Sequence, residues 1–415
     1  MIRIYIPNNN ISERRYVLDI IFNEFLGLKY EFKLGSKDYE IVLKNSKTLT
    51  IKDTFFNKYP VTLEYLKEEN IPKSIKELDL FAACFFMLTR WEEYVNKTRD
   101  KYNRFPASES LAYKEMFLDR PIVNELIESL KLKLLELDKS LIFKERKFEL
   151  ILTHDVDNLY FWKNGIQLIR IVLGDILKRR NLKLALNRIK EYVLVKLKKI
   201  QDPFDTFDWL MDKSEARGMK SRFYFMSGGV TLYDNNYKID EPKALKLLEK
   251  IKKRGHIIGI HPSYEAYNDY EQFKKEKEFL EKVCESKIDE GREHYLRFEV
   301  PTTWQIWEDN GMKIDSTCGY AEKEGFRCGT GDEFSVFNIL SRERLQLKER
   351  PLIVMDGSFM TYQKAISPAD MERKIQQLIN SVKIYNGTFT LLWHNSSFNT
   401  SNWEKYKKIY EKILG

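Results

Sequence analysis

The stretch Phe148-Glu149-Leu150-Ile151-Leu152-Thr153-His154-Asp155-Val156-Asp157 decides the fold. An apolar strand from Phe148 to Thr153 ends on two carboxylates spaced two residues apart. In extended chain Asp155 and Asp157 point to one side and His154 to the other. Two carboxylates on one side repel unless a metal ion or an arginine sits beside them. The same grammar recurs downstream. Strand-like Ile257 to Ile260 leads to His261-Pro262-Ser263-Tyr264-Glu265, Met312 to Ile314 leads to Asp315, and Thr388 to Trp393 leads to His394. Further strands are expected at Ser221 to Met226 and Leu352 to Met355. Helical patterns lie between them: Phe207 to Arg217, Pro242 to Arg254 closed by Gly255, and Pro368 to Tyr385 with Ser367 as N-cap. Strand–helix–strand alternation predicts an α/β fold with parallel strands and crossover helices. Such folds collect their chemistry at the carboxyl ends of strands, where these polar residues fall.

Upstream, residues 1–145 read as a smaller α/β unit. Short strands (Ile2 to Ile6, Tyr30 to Lys33, Tyr39 to Leu43) precede a mostly buried helix from Leu78 to Tyr94 and a second from Pro121 to Leu137. The charged stretch Lys139 to Lys147 marks the boundary, and residues 146–415 form the larger unit. An apolar content of 43% and an aromatic content of 13% exclude a disordered or fibrous chain. No 20–50-residue repeat is present, which argues against a solenoid. The start Met1-Ile2-Arg3-Ile4-Tyr5-Ile6-Pro7 is strand-like and unlike a signal peptide, and no apolar run approaches the ~20 residues that span a bilayer, so a cytoplasmic location is expected. Cys84, Cys284, Cys318 and Cys328 contain no CxxC pair and are expected as free thiols.

Several residue types point to hydrolytic chemistry. His261 and Glu265, four apart, share a face if the chain turns helically and can both reach one divalent ion. Arg297, in Arg-Phe-Glu-Val-Pro, suits a fixed positive partner for a carboxylate. His394 at a strand end, paired with a carboxylate, suits a proton donor near neutral pH. His256 lies on the opposite side of its strand from His261 and reads as a hydrogen-bonded core histidine.

Taken together, residues 148–400 resemble the polysaccharide deacetylase family, the metal-dependent carbohydrate esterases. Thr153-His154-Asp155-Val156-Asp157 is similar to its first motif and Gly255-His256-Ile257-Ile258-Gly259 with His261 to its second. Arg297, Asp315 and Leu391-Leu392-Trp393-His394 are similar to its third, fourth and fifth. The resemblance implies a distorted parallel (β/α) barrel and a metal-dependent N-deacetylase of a polysaccharide or oligosaccharide. It implies Asp155 as general base oriented by Arg297, His394 as general acid held by Asp315, and Asp157 and His261 as metal ligands. A turn near Pro301 would supply an oxyanion N–H. The family's second ligand histidine is replaced by Glu265 in this alignment. That leaves three arrangements: Glu265 binds the ion, water completes a two-ligand site, or the metal is lost. The implied ion is Zn2+, with Mn2+, Co2+ or Ni2+ as alternatives, and the implied substrate is an N-acetylated glycan or lipid-linked sugar. Tyr264, Trp304 and Tyr320 are candidates to stack on sugar rings. Arg327, in the Gly-rich loop Gly325-Phe326-Arg327-Cys328-Gly329, is a candidate contact for an anionic group. The loss of a ligand histidine also admits a silent glycan-binding or scaffold protein on the same fold.

Residues 161–200 form a basic helical insertion. Eleven Lys or Arg stand against Asp175 and Glu191, a net +9 in a chain whose total is +8, so the remainder is close to neutral. That balance argues against a nucleic-acid binder. Apolar residues recur at helical spacing (Ile169, Val172, Leu173, Ile176, Leu177, then Leu182, Leu184, Leu186, Ile189). A cationic, Leu/Ile-rich amphipathic segment suits peripheral contact with anionic membrane through 163–199, at the inner face. The plainer expectation is a helical pair docked on the protein's own surface.

Overall fold

The structure, a computed structural model, describes residues 1–234, 237–363, 366–400 and 403–415. The first unit is a four-stranded sheet in the order β2-β1-β3-β4, formed by β1 (Ile2–Ile6), β2 (Tyr30–Leu34), β3 (Tyr39–Val42) and β4 (Thr48–Ile51). β1 pairs with β2 in parallel and with β3 antiparallel. The long helix expected over Leu78 to Tyr94 breaks at Arg90, whose φ of 52° ends Leu80–Thr89 and starts Trp91–Val95. Arg90 takes that left-handed turn because its buried guanidinium is held from two sides. Nε donates to Glu93 at 2.9 Å and Nη2 to Glu92 at 3.3 Å.

The second unit is built on nine strands: β5 (Glu149–Val156), β6 (Ser221–Phe225), β7 (Ile257–Ile260), β8 (Glu290–Gly291), β9 (Ile314–Asp315), β10 (Phe334–Asn338), β11 (Glu343–Glu349), β12 (Val354–Met355) and β13 (Thr388–Leu392). Their order is β10-β11-β9-β8-β7-β6-β5-β13-β12, parallel throughout except for β10 against β11. The expected α/β class with a large parallel sheet is present. The expected barrel is not: among the described residues β10 and β12 remain the two edges of an open sheet. The antiparallel β10–β11 pair occupies one edge, where closure would have required a parallel strand.

One contiguous apolar core runs through both units, from Ile4 and Val17 through Phe85 to Val336 and Phe389. Polar anchors cross the same contact. Tyr16 donates to the Ser335 carbonyl at 2.9 Å and Asn124 to Asp332 at 2.7 Å. Arg327 is fully enclosed. It donates to both Glu93 oxygens at 2.9 and 2.5 Å and to the Gly319 carbonyl at 2.8 Å. Its loop is pinned by Phe326 N–H on the Leu118 carbonyl. Arg327 is therefore an interior tie between the units, not the anion contact expected from its Gly-rich loop. All four cysteines are buried free thiols, as composition suggested.

The helices Gly165–Leu177 and Leu182–Lys196 pack on each other as a hairpin. Within them only Asp175 and Ala185 are buried. Leu177 and Leu186 stay 71% and 67% exposed, so the pair leaves much of its apolar surface uncovered.

Removing one partner of a buried ion pair strands the other charge, at a cost of about 3–5 kcal/mol. Arg327→Ala should lose stability on that scale in urea unfolding. A loss under about 1 kcal/mol would show that the tie is solvated in solution.

Candidate metal centre

Five parallel strands deliver their carboxyl ends to one rim. β5 carries Asp155 as its penultimate residue and Asp157 just beyond its end. His261 follows β7, Arg292 and His294 follow β8, Asp356 follows β12 and His394 lies two residues past β13. The pleat turns His154 the other way, as expected. It is buried with Nδ1 2.7 Å from the Trp393 carbonyl and Nε2 3.3 Å from Ser221 Oγ, and burial pushes its pKa down to about 4.

Asp157, His261 and His294 form a group able to hold a metal ion. His261 Nε2 lies 3.3 Å and His294 Nδ1 3.6 Å from Asp157 Oδ1, and the two ring nitrogens face each other at 2.9 Å. The far nitrogens fix the tautomers. His261 Nδ1 is 2.7 Å from the Arg292 carbonyl and His294 Nε2 is 2.7 Å from the Tyr233 carbonyl. A carbonyl oxygen only accepts, so those nitrogens carry the protons. The facing nitrogens then both present lone pairs. Asp157 Oδ1 is itself buried without a hydrogen-bond donor. Two imidazole lone pairs and a bare carboxylate oxygen pointing together fit a divalent cation. The titration of the groups agrees. Burial opposes charge on His261, but Asp155 and Asp157 outweigh it and raise its pKa. Burial likewise opposes charge on Asp157, and the facing His261 with the nearby His294 and His394 holds it well below the carboxylate range.

Two charged pairs flank this group. Arg292, fully buried, donates from Nη1 to Asp155 Oδ1 at 2.8 Å and from Nε to the Ser316 carbonyl at 2.8 Å. His394 Nδ1 lies 2.7 Å from Asp356 Oδ1, and its backbone N–H donates to Asp356 Oδ2 at 3.0 Å. His394 Nε2 faces Asp157 Oδ2 at 3.7 Å. Burial disfavours the imidazolium, but Asp356, then Asp157 and Asp155, push its pKa up to about 10. A carboxylate held by arginine and an imidazole held by aspartate thus border the group able to hold a cation.

The structure brings Asp155, Asp157, His261 and His394 together and rearranges their supports. Glu265 points outward, 59% exposed on its side chain, and pairs with Arg297 at 3.4 Å. His294 occupies the ligand place assigned to Glu265. Arg297 does not orient Asp155, which Arg292 does. Its guanidinium lies over the Tyr264 and Tyr267 rings at 3.9 and 4.0 Å and donates to the Tyr264 carbonyl. Asp315 is buried against Thr317, donating neither to nor accepting from His394, whose partner is Asp356. Trp304 is fully buried with Nε1 on Glu349 at 3.0 Å, and Tyr320 is buried beside Arg90, so neither ring can meet a sugar. Pro301 precedes the helix Thr302–Asp309, and the Thr303 N–H two residues on is already bonded to the Glu299 carbonyl. Tyr264 does line the site region, within 4.5 Å of the Tyr233 ring and 5.4 Å of the Tyr295 ring.

Two features hold the histidines at their separation. β7 and β8 approach closely at glycines: a Cβ on Gly291 would fall 2.1 Å from the Ile260 carbonyl oxygen, and one on Gly259 would fall 2.5 Å from that of Glu290. After His294 the chain turns through left-handed Tyr295 and Leu296, at φ 60° and 55°. The first unit braces that turn. Arg104, paired with Asp100 at 2.6 Å, donates to the Tyr295 carbonyl at 3.1 Å. The Tyr102 ring packs on Tyr295 at 5.1 Å. Of the five histidines, His294 is the one to which the sequence pattern gives no role. Its signal was the run Gly291-Arg292-Glu293-His294, an arginine and a histidine two apart after a glycine.

A family of unknown function (DUF7033) matches residues 2–139, a third of the chain. No curated protein matches. Among solved structures, a Mycobacterium smegmatis protein provisionally named a polysaccharide deacetylase is 13% identical, with a TM-score of 0.41 over 66% of this chain and 85% of that one. A family 4 carbohydrate esterase from Streptomyces lividans is 8% identical, with a TM-score of 0.31 over 65% and 89%. A CE4 family pseudoenzyme from Bacillus anthracis is 10% identical, with a TM-score of 0.31 over 64% of this chain and 60% of that one. Similarity this distant carries no chemistry, which has to come from the side chains.

Two outcomes follow from the geometry. Asp356→Asn removes the charge that stabilises the His394 imidazolium, so the pKa of His394 in NMR titration should fall; an unchanged value would break the pairing. Groups that orient ligands typically change metal affinity by roughly 10–100-fold. Arg104→Ala should weaken Zn2+ affinity about tenfold in competition with a chelating dye, the low end of that range. Unaltered affinity would show that the first unit does not brace the ligand loop.

Proposed function

We propose that the protein is a metal-dependent N-deacetylase acting on an N-acetylated amino sugar of a glycan, free or lipid-linked. One observation carries this reading: a His–His–Asp group with tautomers set for cation binding lies between an arginine-held carboxylate and an aspartate-held imidazole. Amide hydrolysis needs those three components, because hydroxide must form, an oxyanion must be stabilised and a poor amine leaving group must be protonated.

Asp157, His261 and His294 would hold the ion, with Zn2+ the first choice for this donor set. A bound divalent ion supplies acidified water and charge stabilisation for the acetyl oxygen. Asp155 takes the proton from the attacking water while Arg292 keeps its carboxylate turned inward. His394 gives its Nε2 proton to the departing nitrogen, and Asp356 holds the ring in the orientation that makes Nε2 the donor. Tyr233, 44% exposed and carrying the carbonyl that fixes His294, replaces Trp304 as the ring available to a sugar face. The reading as a silent scaffold rested on Glu265 as a degraded ligand. His294 beside Asp157 and His261 supports the catalytic reading over it.

The test is acetate release from a panel of N-acetylated sugar nucleotides, lipid-linked sugars and oligosaccharides, assayed with several divalent ions. Asp155→Asn and His394→Ala should each lower kcat about 10²–10⁴-fold, the scale of acid–base groups. Glu265→Ala should leave the rate essentially unchanged. If metal-loaded protein releases no acetate from any substrate, or Asp155→Asn retains full activity, the assignment fails.

A further inference from the structure

The hairpin of Gly165–Leu177 and Leu182–Lys196 exposes what soluble surfaces normally hide. Each helix uses one stripe to pack on its partner and keeps a second stripe in solvent. Ile169, Leu173 and Leu177 are exposed four residues apart on the first helix. Leu182, Leu186 and Ile189 are exposed at spacings of four and three on the second. Helical geometry puts each set on a single face. Exposed apolar patches of this kind mark interaction sites. The charge is arranged around them. Lys178, Arg179, Arg180 and Lys183 surround the hairpin tip, where Leu177 and Leu182 are 71% and 66% exposed.

From this arrangement we propose that the hairpin is a docking element for an anionic lipid bilayer, with its aliphatic stripes in the acyl–headgroup boundary and its cations among the phosphates. The chemistry selects this occupant. A second copy would bring one +9 hairpin against another. Nucleic acid would leave the aliphatic stripes in water, and the stripes carry no aromatic ring on which a base could stack. A bilayer satisfies both properties, since long basic side chains can reach the phosphates while aliphatic ones enter the boundary. The hairpin is rooted at the rim of the sheet. Asn395, next to His394, donates to the Asn158 and Phe204 carbonyls on either side of the insertion, at 2.9 Å each. Docking would thus hold the strand ends close to the lipid surface and favour a lipid-carried amino sugar. That corollary rests on the deacetylase reading, whereas docking does not.

Co-sedimentation of the full chain with vesicles separates the outcomes without an activity assay. The protein should bind vesicles of phosphatidylglycerol and phosphatidylcholine and show little binding to phosphatidylcholine alone. Leu173→Asp with Leu186→Asp should reduce binding about tenfold or more, since the apolar contribution is lost. Lys178→Glu with Arg180→Glu should reduce it similarly, and added salt should weaken the wild type. Both double variants should keep the circular dichroism and melting of the parent. Three results would overturn the proposal: no binding to anionic vesicles, binding indifferent to both double variants, or lipid-free dimerisation abolished by the leucine changes.

Discussion

Two hydrogen bonds to backbone carbonyls govern the whole site. His261 gives its Nδ1 proton to Arg292 and His294 gives its Nε2 proton to Tyr233. Each donation leaves a lone pair on the inward nitrogen, and the two face each other at 2.9 Å. Without positive charge between them, a shared proton or a cation, that arrangement is repulsive. Arg292 links this pair to the carboxylate beside it. Its carbonyl sets the His261 tautomer, while its guanidinium sets the direction of Asp155. One residue therefore aligns both His261 and Asp155, and displacing it would disturb both.

The legibility of the sequence followed strand length. β5, β7 and β13 run for eight, four and five residues, long enough for apolar patterning to show. The residues at their ends, Asp155, Asp157, His261 and His394, were readable from the chain alone. β8 is two residues long. Alternation cannot register over two residues, so Arg292 and His294 looked like loop, whereas a strand was expected before Asp356 and its end residue was passed over. Arg297, Glu265 and Asp315 were given their places instead. Sheet closure was equally out of reach. Whether β10 and β12 meet is a matter of tertiary pairing, and β11, the strand next to the edge, reads as a charged segment, Glu-Arg-Leu-Gln-Leu-Lys-Glu. The exposed stripes of the hairpin were visible as periodicity. Their exposure was not, because an inner and an outer apolar face have the same spacing.

The first unit is part of the site's architecture. A common apolar core joins it to the large sheet, and the Arg327–Glu93 tie is buried in that contact. Tyr102 and Arg104 extend from it to the left-handed turn after His294. The conformational cost of that turn is met by contacts from another part of the chain, a usual arrangement where backbone geometry must be held against its preference. The candidate group is thus braced by both units, although Asp157, His261 and His294 all belong to the second.

The contact between β7 and β8 has a consequence of its own. At Gly291 the strands meet with no room for a methyl group. The distance from one imidazole to the other is therefore gauged by a hydrogen atom on a residue that contributes no donor. A chain that acquired a side chain there would have to spread the strands, and would part His261 from His294 while retaining both in its sequence. Inventories of ligand residues would count such a protein as competent, and only the glycine would reveal that it is not.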